Sequence, residues 1–466
     1  MRTDPAELTA LELVAAYRTG ELSPTEAADA ALKRIDDLDD QVGGYCLVDQ
    51  ETTRDQAAAS AARWQRGQPA GLLDGVPVAV KDVFLTAGWP TLRGSASADP
   101  TGPWEADAPA VAALRRHGAV LSGKTTTPEL GWKAVTDSPL HGISRNPWDS
   151  GRTSGGSSGG SASAVALGMS PLALGTDGGG SIRIPCGFCG LVGIKPTHGR
   201  VPLWPISPYG TLSHAGPISR TVADTALLLD VLSEPDPRDT TAPPPTRQTA
   251  DGLDAGIGGL RIAYSRDLGY ADVDADVAAA VDSAVKVLEG LGAHVEELDP
   301  GFPDPLEDFN TLWYAAVANA TASSDPAQLD PGLAEIREQG RQIGLMDYLD
   351  ATRRRAELGI TTGEFHARYD VLVTPTLPIG AFTAGREVPD GWPHRRWPTW
   401  TPFSLPFNMT GQPAATVPCG LTGEGLPVGL QFVGARHADA LVLQAAYAYE
   451  QAAPFEHRPL TQGVLR

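Results

Sequence analysis

Gly155-Gly156-Ser157-Ser158-Gly159-Gly160-Ser161 and Gly175-Thr176-Asp177-Gly178-Gly179-Gly180-Ser181-Ile182-Arg183 decide how this chain is read. Between positions 151 and 200, 14 of 50 residues are Gly, against 52 in the 466 of the whole chain. Glycine loses the most backbone entropy on folding, so such density needs a backbone reason. The reasons are positive φ, close approach of a ligand, or a row of N–H groups aimed at one point. Serines in such loops are candidate nucleophiles with an oxyanion site beside them. A flexible Gly/Ser linker does not fit, because the flanks (Ala162 to Leu167, Leu172 to Leu174) are apolar.

Outward from these loops, the period changes along the chain. Helical spacing marks Glu7 to Tyr17, and Ser23-Pro24-Thr25-Glu26 is a capping box opening a helix to about Asp39. A third helix covers Glu51 to Arg66. Gly75-Val76-Pro77-Val78-Ala79-Val80-Lys81-Asp82-Val83-Phe84 is valine-rich and apolar on both sides of its alternation, as in a buried strand starting at or just after Pro77. Lys81 sits at its C-terminal end. Further helices are read at Ala108 to His117, Ser161 to Leu167, Ala275 to Leu291 and Ala438 to Gln451. Further strands are read at Ala119 to Ser122, Gly190 to Ile194, Leu260 to Tyr264, Val371 to Thr374 and within Gly425 to Gly434. This alternation implies an α/β fold. The expectation is one large domain over residues 1–466, with a central twisted mixed β-sheet covered by helices on both faces. Pro235 to Asp251, rich in Pro, Thr and Asp, reads as a surface excursion inside it.

Composition excludes several classes. A net charge of −20 argues against nucleic acid or anionic membrane as partner. No apolar run reaches the ~18 residues that span a bilayer, and Met1 to Pro5 lacks a signal peptide's apolar core. A cytoplasmic protein is expected. Cys186-Gly187-Phe188-Cys189 is a lone C-x-x-C among four cysteines, without the second pair or histidines of a zinc site, so no metal is expected. Only six lysines occur, against 30 arginines, which makes Lys81 in an apolar run conspicuous.

Two motif matches fail on context. Gly118 to Thr125 fits the P-loop expression, but Ala119-Val120-Leu121 is itself the strand and Thr126-Thr127-Pro128 follows it. Gly155 to Gly160 fits G-x-S-x-G around Ser157 or Ser158, but no strand precedes it. A third arrangement remains: Lys81, Ser157 and Ser181. Serine needs a base, and neither loop contains histidine. A lysine held neutral by burial can act as one. Spacing leaves open both this role for Lys81 and an ion pair or surface position beside Asp82. It also leaves His198 and His214 as alternative bases.

In these residues the chain resembles the amidase signature family. The resemblance runs through Gly75 to Asp82, Asn146-Pro147-Trp148-Asp149 and the block Gly155 to Pro196. It resumes at Val373 to Thr376, Pro406 to Pro413 and Gly425 to Gln431. It implies Ser181 as nucleophile, Ser157 as bridging serine with a cis peptide bond to Gly156, and Lys81 as base. Backbone N–H groups of Gly178, Gly179, Gly180 and Ser181 would hold the oxyanion. Asp177 and Arg183 would brace the loop, and Ser158 would support Ser157. No cofactor is implied. Trp132, Trp313, Tyr314, Trp392, Trp397 and Trp400 lie in the segments of about 304–400, and near 132, that border the site in the family. Of these, Trp132, Trp313, Trp397 and Trp400 are expected to wall the substrate pocket. The implied activity is hydrolysis of a C–N bond in small neutral amides, anilides or carbamates through an acyl-enzyme, with ester cleavage as a side activity. The alternative is a partner-dependent amidotransferase A-type subunit releasing ammonia from glutamine. Gly344 to Arg353 departs from the Tyr-rich stretch of that subunit. Expected partners are a small amide or carbamate, with no nucleic acid and no membrane; a homodimer is left open.

Overall fold

Val78 and Val80 face one side of their strand, while Ala79 and Lys81 share the other parity. That alternation sets up two apolar layers around one sheet. A computed structural model describes residues 4–244, 249–456 and 459. Its strands are β1 Tyr45–Leu47, β2 Pro77–Lys81, β3 Val120–Thr125, β4 Asp137–Ser138, β5 Gly142–Ile143, β6 Leu172–Asp177, β7 Val192–Lys195, β8 His214–Ser219, β9 Arg261–Tyr264, β10 His294–Glu297, β11 Val371–Pro375, β12 Ala414–Leu421 and β13 Pro427–Gly434. Eleven of these form one mixed sheet in the order β1-β3-β2-β6-β8-β7-β12-β13-β11-β9-β10, and β4 and β5 form a separate hairpin.

The sheet is parallel at β3-β2-β6 and at β11-β9-β10, and antiparallel between those blocks. Val78, Val80, Leu172 and Leu174 lie in a core shared with helices Val222–Leu232, Ala275–Gly290 and Asp439–Ala452. Ala79 and Ala173 lie in the opposite core, beneath helices Pro24–Val42, Gly159–Ala166 and Arg183–Cys189. A third, aromatic-rich core joins Ala263, Leu372 and Val433 of the sheet to helices Leu306–Ala320, Pro331–Arg341 and Leu345–His366. The parallel strands β2 and β6 end side by side, with Val80 opposite Leu174. Ligands bind beyond the carboxyl ends of such strands, and both Gly/Ser loops gather there.

The expected helices near the N-terminus form, with the Ser23–Glu26 capping box made in both directions. The strand expected at Ala119 to Ser122 is longer than expected. It runs on through Gly123-Lys124-Thr125, so these residues pair with β2 and are not a phosphate-binding turn. Lys124 is buried, 3.2 Å from Asp82, and donates to the Phe84 carbonyl and to Thr91 Oγ1. Most of Pro235 to Asp251 is exposed or half-buried, and positions 245–248 lie outside the described residues. Among the described residues, no helix is long and apolar enough to cross a membrane.

Replacing Lys124 by Ala leaves Asp82 buried without its counter-ion. A loss of about 3–5 kcal/mol is expected from urea unfolding. Adding Mg-ATP to the wild type is expected to leave its melting temperature unchanged, since the matched glycines and lysine lie in a strand.

Candidate active site

β2 delivers Lys81 to the sheet face covered by helix Gly159–Ala166. Its ammonium position is fully buried and meets three hydroxyls: Ser157 Oγ at 2.6 Å, Ser158 Oγ at 2.9 Å and Thr176 Oγ1 at 2.8 Å. Among the described residues, no carboxylate touches it. Burial therefore pushes the Lys81 amine well below its ordinary value, with only partial opposition from Asp177. A neutral amine has two donors and one lone pair, so three hydroxyl partners can satisfy it. Ser158 donates to the Thr176 carbonyl and accepts from the Thr176 N–H, so it is left to accept from Lys81. The lone pair is then available to Ser157. The Gly156–Ser157 peptide is cis.

The second loop leaves β6 at Asp177. The Asp177 carboxylate accepts from Arg183 at 2.9 and 3.0 Å, from Asn408 Nδ2 at 2.8 Å and from the Gly180 N–H at 2.7 Å. Burial alone would raise this carboxyl; Arg183, Lys195 and Asn408 hold it below the ordinary carboxylate range. Arg183 also donates to Gln431, Asn408 and the Ser404 carbonyl. The loop is thus tied to β13 and to helix Leu405–Thr410.

Two of the three glycines are required by what surrounds them. A methyl group at Gly179 would lie 2.6 Å from Trp397 Cη2 and 2.9 Å from Phe309 Cζ. Gly180 has φ 116°, which L side chains rarely adopt. Among the described residues, the N–H groups of Gly178, Gly179 and Ser181 have no acceptor. The Gly180 N–H does not belong with them. It is taken up by Asp177, which corrects the expectation that four consecutive N–H groups face the same point. The Ser181 hydroxyl makes no hydrogen bond among the described residues and lines a cavity of about 380 Å³.

That cavity also meets Ser157, Thr176, Gly178, Leu130, Gly131 and Trp313, and its opposite wall is the segment 203–209. Of the four indoles expected there, only Trp313 lines it. It is held by stacking on Tyr209 with ring centroids 3.9 Å apart and by donating from Nε1 to the Trp132 carbonyl. Trp132, Trp397 and Trp400 are core residues instead. Trp400 is fully buried, stacked on Phe188, and donates to the Glu387 carbonyl. Trp132 packs against Gly332 and Arg396. Trp397 packs edge-on against Phe309 and Trp313, beneath Gly179. Pro398 starts a short turn, Trp397–Trp400, in which Trp397, Pro398 and Trp400 are all buried.

The histidines do not reach the serines. His214 Nδ1 lies 3.1 Å from the Asp177 carbonyl and 2.9 Å from that of Leu212, and His198 stacks edge-on against His214. Cys186 and Cys189 are buried free thiols. A cluster not foreseen from spacing brings donor atoms of Cys46, Asp82 and His141 within 4.8 Å of one another. Lys124 already supplies the Asp82 counter-charge there.

The Amidase family model matches residues 26–443. This chain belongs to the amidase signature family. It is 36% identical over 463 residues to an acylamidase of Rhodococcus erythropolis, covering 96% of each chain. It is 37% identical over 487 residues to the A-type subunit of the glutamyl-tRNA(Gln) amidotransferase of Myxococcus xanthus, covering 97% of this chain and 98% of that one. Among solved structures it is similar to a bacterial aryl acylamidase of the amidase signature family, with TM-score 0.89, 28% identity and 96% of each chain covered.

Within this amidase signature site, sequence reading missed Thr176, Asn408 and Tyr209. Thr176 sits one residue before Asp177 at the end of an apolar run, the one local signal that could have marked it. Asn408 lies in the block Pro406 to Pro413 that carries the family resemblance, which could have marked it; nothing local marks Tyr209.

Since Trp400 is core, Trp400→Ala is expected to cost about 3–5 kcal/mol of stability. The relative kcat/KM of bulky aryl and small aliphatic amides should stay unchanged. Trp313→Ala should alter that ranking. Melting curves together with a two-substrate kinetic comparison separate the two outcomes.

Proposed function

We propose that this chain hydrolyses the C–N bond of small amides, anilides or carbamates through a serine acyl-enzyme. The observation that carries the reading is Lys81, buried among hydroxyls, with Ser157 at 2.6 Å and the unpartnered Ser181 hydroxyl in the adjoining cavity. Ser181 Oγ attacks the carbonyl carbon. Its proton passes to Ser157 Oγ as the Ser157 proton passes to Lys81 Nζ. The N–H groups of Gly178, Gly179 and Ser181 receive the oxyanion, each such donor being worth about 3–4 kcal/mol in the transition state. Collapse breaks the C–N bond, and the proton on Lys81 returns through Ser157 to the departing amine. Water then repeats the sequence on the acyl-enzyme and regenerates Ser181. The balance requires only substrate and water.

The cavity supports apolar or aryl substrates. Trp313, Tyr209 and Phe84 line it, and Ile206, which also lines it, is 85% exposed. The likeness to acylamidases agrees with this. The second reading, an amidotransferase A-type subunit that needs a partner, is favoured by the likeness to the Myxococcus xanthus protein. Turnover of an aryl amide by the isolated chain supports the first reading. Failure on every amide, anilide and carbamate, with glutaminase activity appearing only on addition of a partner, supports the second.

Ser181→Ala is expected to abolish turnover, with Ser157→Ala and Lys81→Ala each lowering kcat by at least ~10³-fold, because relay members act as a unit. Circular dichroism should show all three folded. Near-normal activity in Lys81→Ala would remove lysine as the base.

The pH dependence has a definite sign. The competent form of Lys81 is the neutral amine, and burial lowers its value in the fold. Activity should therefore fall as pH drops through that lowered value and level off above it, well below 10.5. A kcat/KM profile that climbs to the ordinary lysine range without levelling would contradict a buried neutral base.

A further inference from the structure

The cavity at Ser181 holds one charged side chain, Arg93, and among the described residues no acid, lysine or histidine lines it. Arg93 lies on the long loop between β2 and helix Pro109–Arg116. Among the described residues its guanidinium makes no hydrogen bond and no ion pair, while its nitrogens are not sealed off. Such a residue is unusual here, because the chain carries 56 acidic residues and most of its arginines find one. Asp82 is the acid that acts on Arg93, but it is in contact with Lys124.

The backbone holds Arg93 in place at some cost. Its φ is 56°, in the left-handed region, and the next residue, Gly94, has φ 64°. A non-glycine residue is strained there by its Cβ against the backbone, and such outliers persist where the surroundings enforce them. Here they do: the Arg93 carbonyl accepts from the Leu130 N–H at 2.7 Å, and the Arg93 N–H donates to Asp82. A methyl group at Gly94 would lie 2.5 Å from the Thr127 carbonyl oxygen. The loop is thus anchored to the same β2–β3 ends that carry Lys81. Burial disfavours the charged guanidinium, with partial opposition from Asp82. An anion entering the cavity would relieve that penalty.

We propose that Arg93 is the specificity residue of this site and that the substrate is an amide bearing a carboxylate, which the guanidinium pairs with while Ser181 attacks the amide carbonyl. This rests on the hydrolase reading above and sharpens its substrate class, away from the neutral amides expected from sequence. Guanidinium and carboxylate match as a planar two-bond fork, and in a cavity with no competing acid the pair is selective. The carboxylate belongs either to the acyl part or to the amine part of the substrate.

Two matched pairs of substrates test this. Succinanilic acid and its methyl ester carry or mask the charge on the acyl side, and 4-acetamidobenzoate and its methyl ester on the amine side. The wild type should favour the free acid of at least one pair by about tenfold or more in kcat/KM, and which pair it is tells where the carboxylate lies. Arg93→Gln should lower kcat/KM for that acid by about 10²-fold and leave its ester within about threefold. Arg93→Lys should recover part of the preference. Equal rates on acids and esters in the wild type, or a proportional loss on both in Arg93→Gln, would overturn the proposal while leaving the hydrolase reading intact. If no amide is turned over, the hydrolase reading fails. Calorimetric binding to Ser181→Ala still decides the Arg93 proposal: tighter binding of 4-acetamidobenzoate or succinanilic acid than of its ester, lost in the Arg93→Gln double variant, supports it, and equal binding overturns it.

Discussion

The site depends on one desolvated ion pair, Asp177 with Arg183, both completely buried. Removing two such charges from water costs several kcal/mol per ion, and attraction alone does not offset it. The surrounding bonds make up the difference. Asp177 takes the Gly180 N–H and Asn408, and Arg183 reaches Gln431, Asn408 and the Ser404 carbonyl. These partners come from parts of the chain more than 200 residues apart, so the pair joins β6, β13 and helix Leu405–Thr410 at one point. By drawing the Gly180 N–H onto Asp177, it also leaves the N–H groups of Gly178, Gly179 and Ser181 without acceptors.

The same pair leaves burial free to lower the Lys81 amine. Asp177 is the acid that acts on Lys81, and its charge is already met by Arg183. The other buried lysines form a graded comparison. Lys133, in contact with Asp137 and Asp330, is held above its ordinary value although burial opposes this. Lys124, with Asp82 alone, is lowered. Lys81 and Lys195, with no carboxylate in contact, are lowered well below it. Yet among the described residues Lys195 meets only the carbonyls of Gln412 and Pro196, which can accept but never give a proton. Lys81 meets hydroxyls, and two of their residues, Ser157 and Thr176, line the cavity. Burial lowers both amines; only Lys81 has hydroxyl partners through which a proton could be relayed.

What is legible in the sequence follows the same physics. The Gly/Ser loops stand out because glycine is retained only where a side chain is forbidden, as the rings against Gly179 demonstrate. Lys81 stands out because it ends a valine-rich strand. Strands β6, β8 and β12 do not read as strands, because Gly175, Gly216-Pro217 and Pro418 interrupt their pattern and pairing across the sheet overrides it. The helices between 306 and 366 escape notice as well, where the tryptophans draw attention to a pocket. An indole count cannot tell which face of a helix or turn is inward, so Trp397 and Trp400 read as a wall when Trp397 is the floor beneath the loop and Trp400 is core against Phe188 and Phe382. Arg93 gives no signal at all: in a Gly-, Ser- and Pro-rich loop it looks like any surface arginine, and only the shape of the cavity sets it apart.

A net charge of −20 counts at first sight against an acidic substrate. The surface charge and the cavity charge act over different ranges. At physiological ionic strength the Debye length is about 8 Å, so acids scattered over the outer surface are largely screened from an approaching solute. Inside a cavity with low-dielectric walls, screening is weak and a contact charge dominates. An acidic surface lowers the rate of encounter with an anion, and more so at low salt. The single unpaired guanidinium then governs what stays. Repulsion outside and attraction within favour molecules that combine a carboxylate with enough apolar surface to occupy the Trp313 and Tyr209 wall, over small inorganic anions that have only charge to offer.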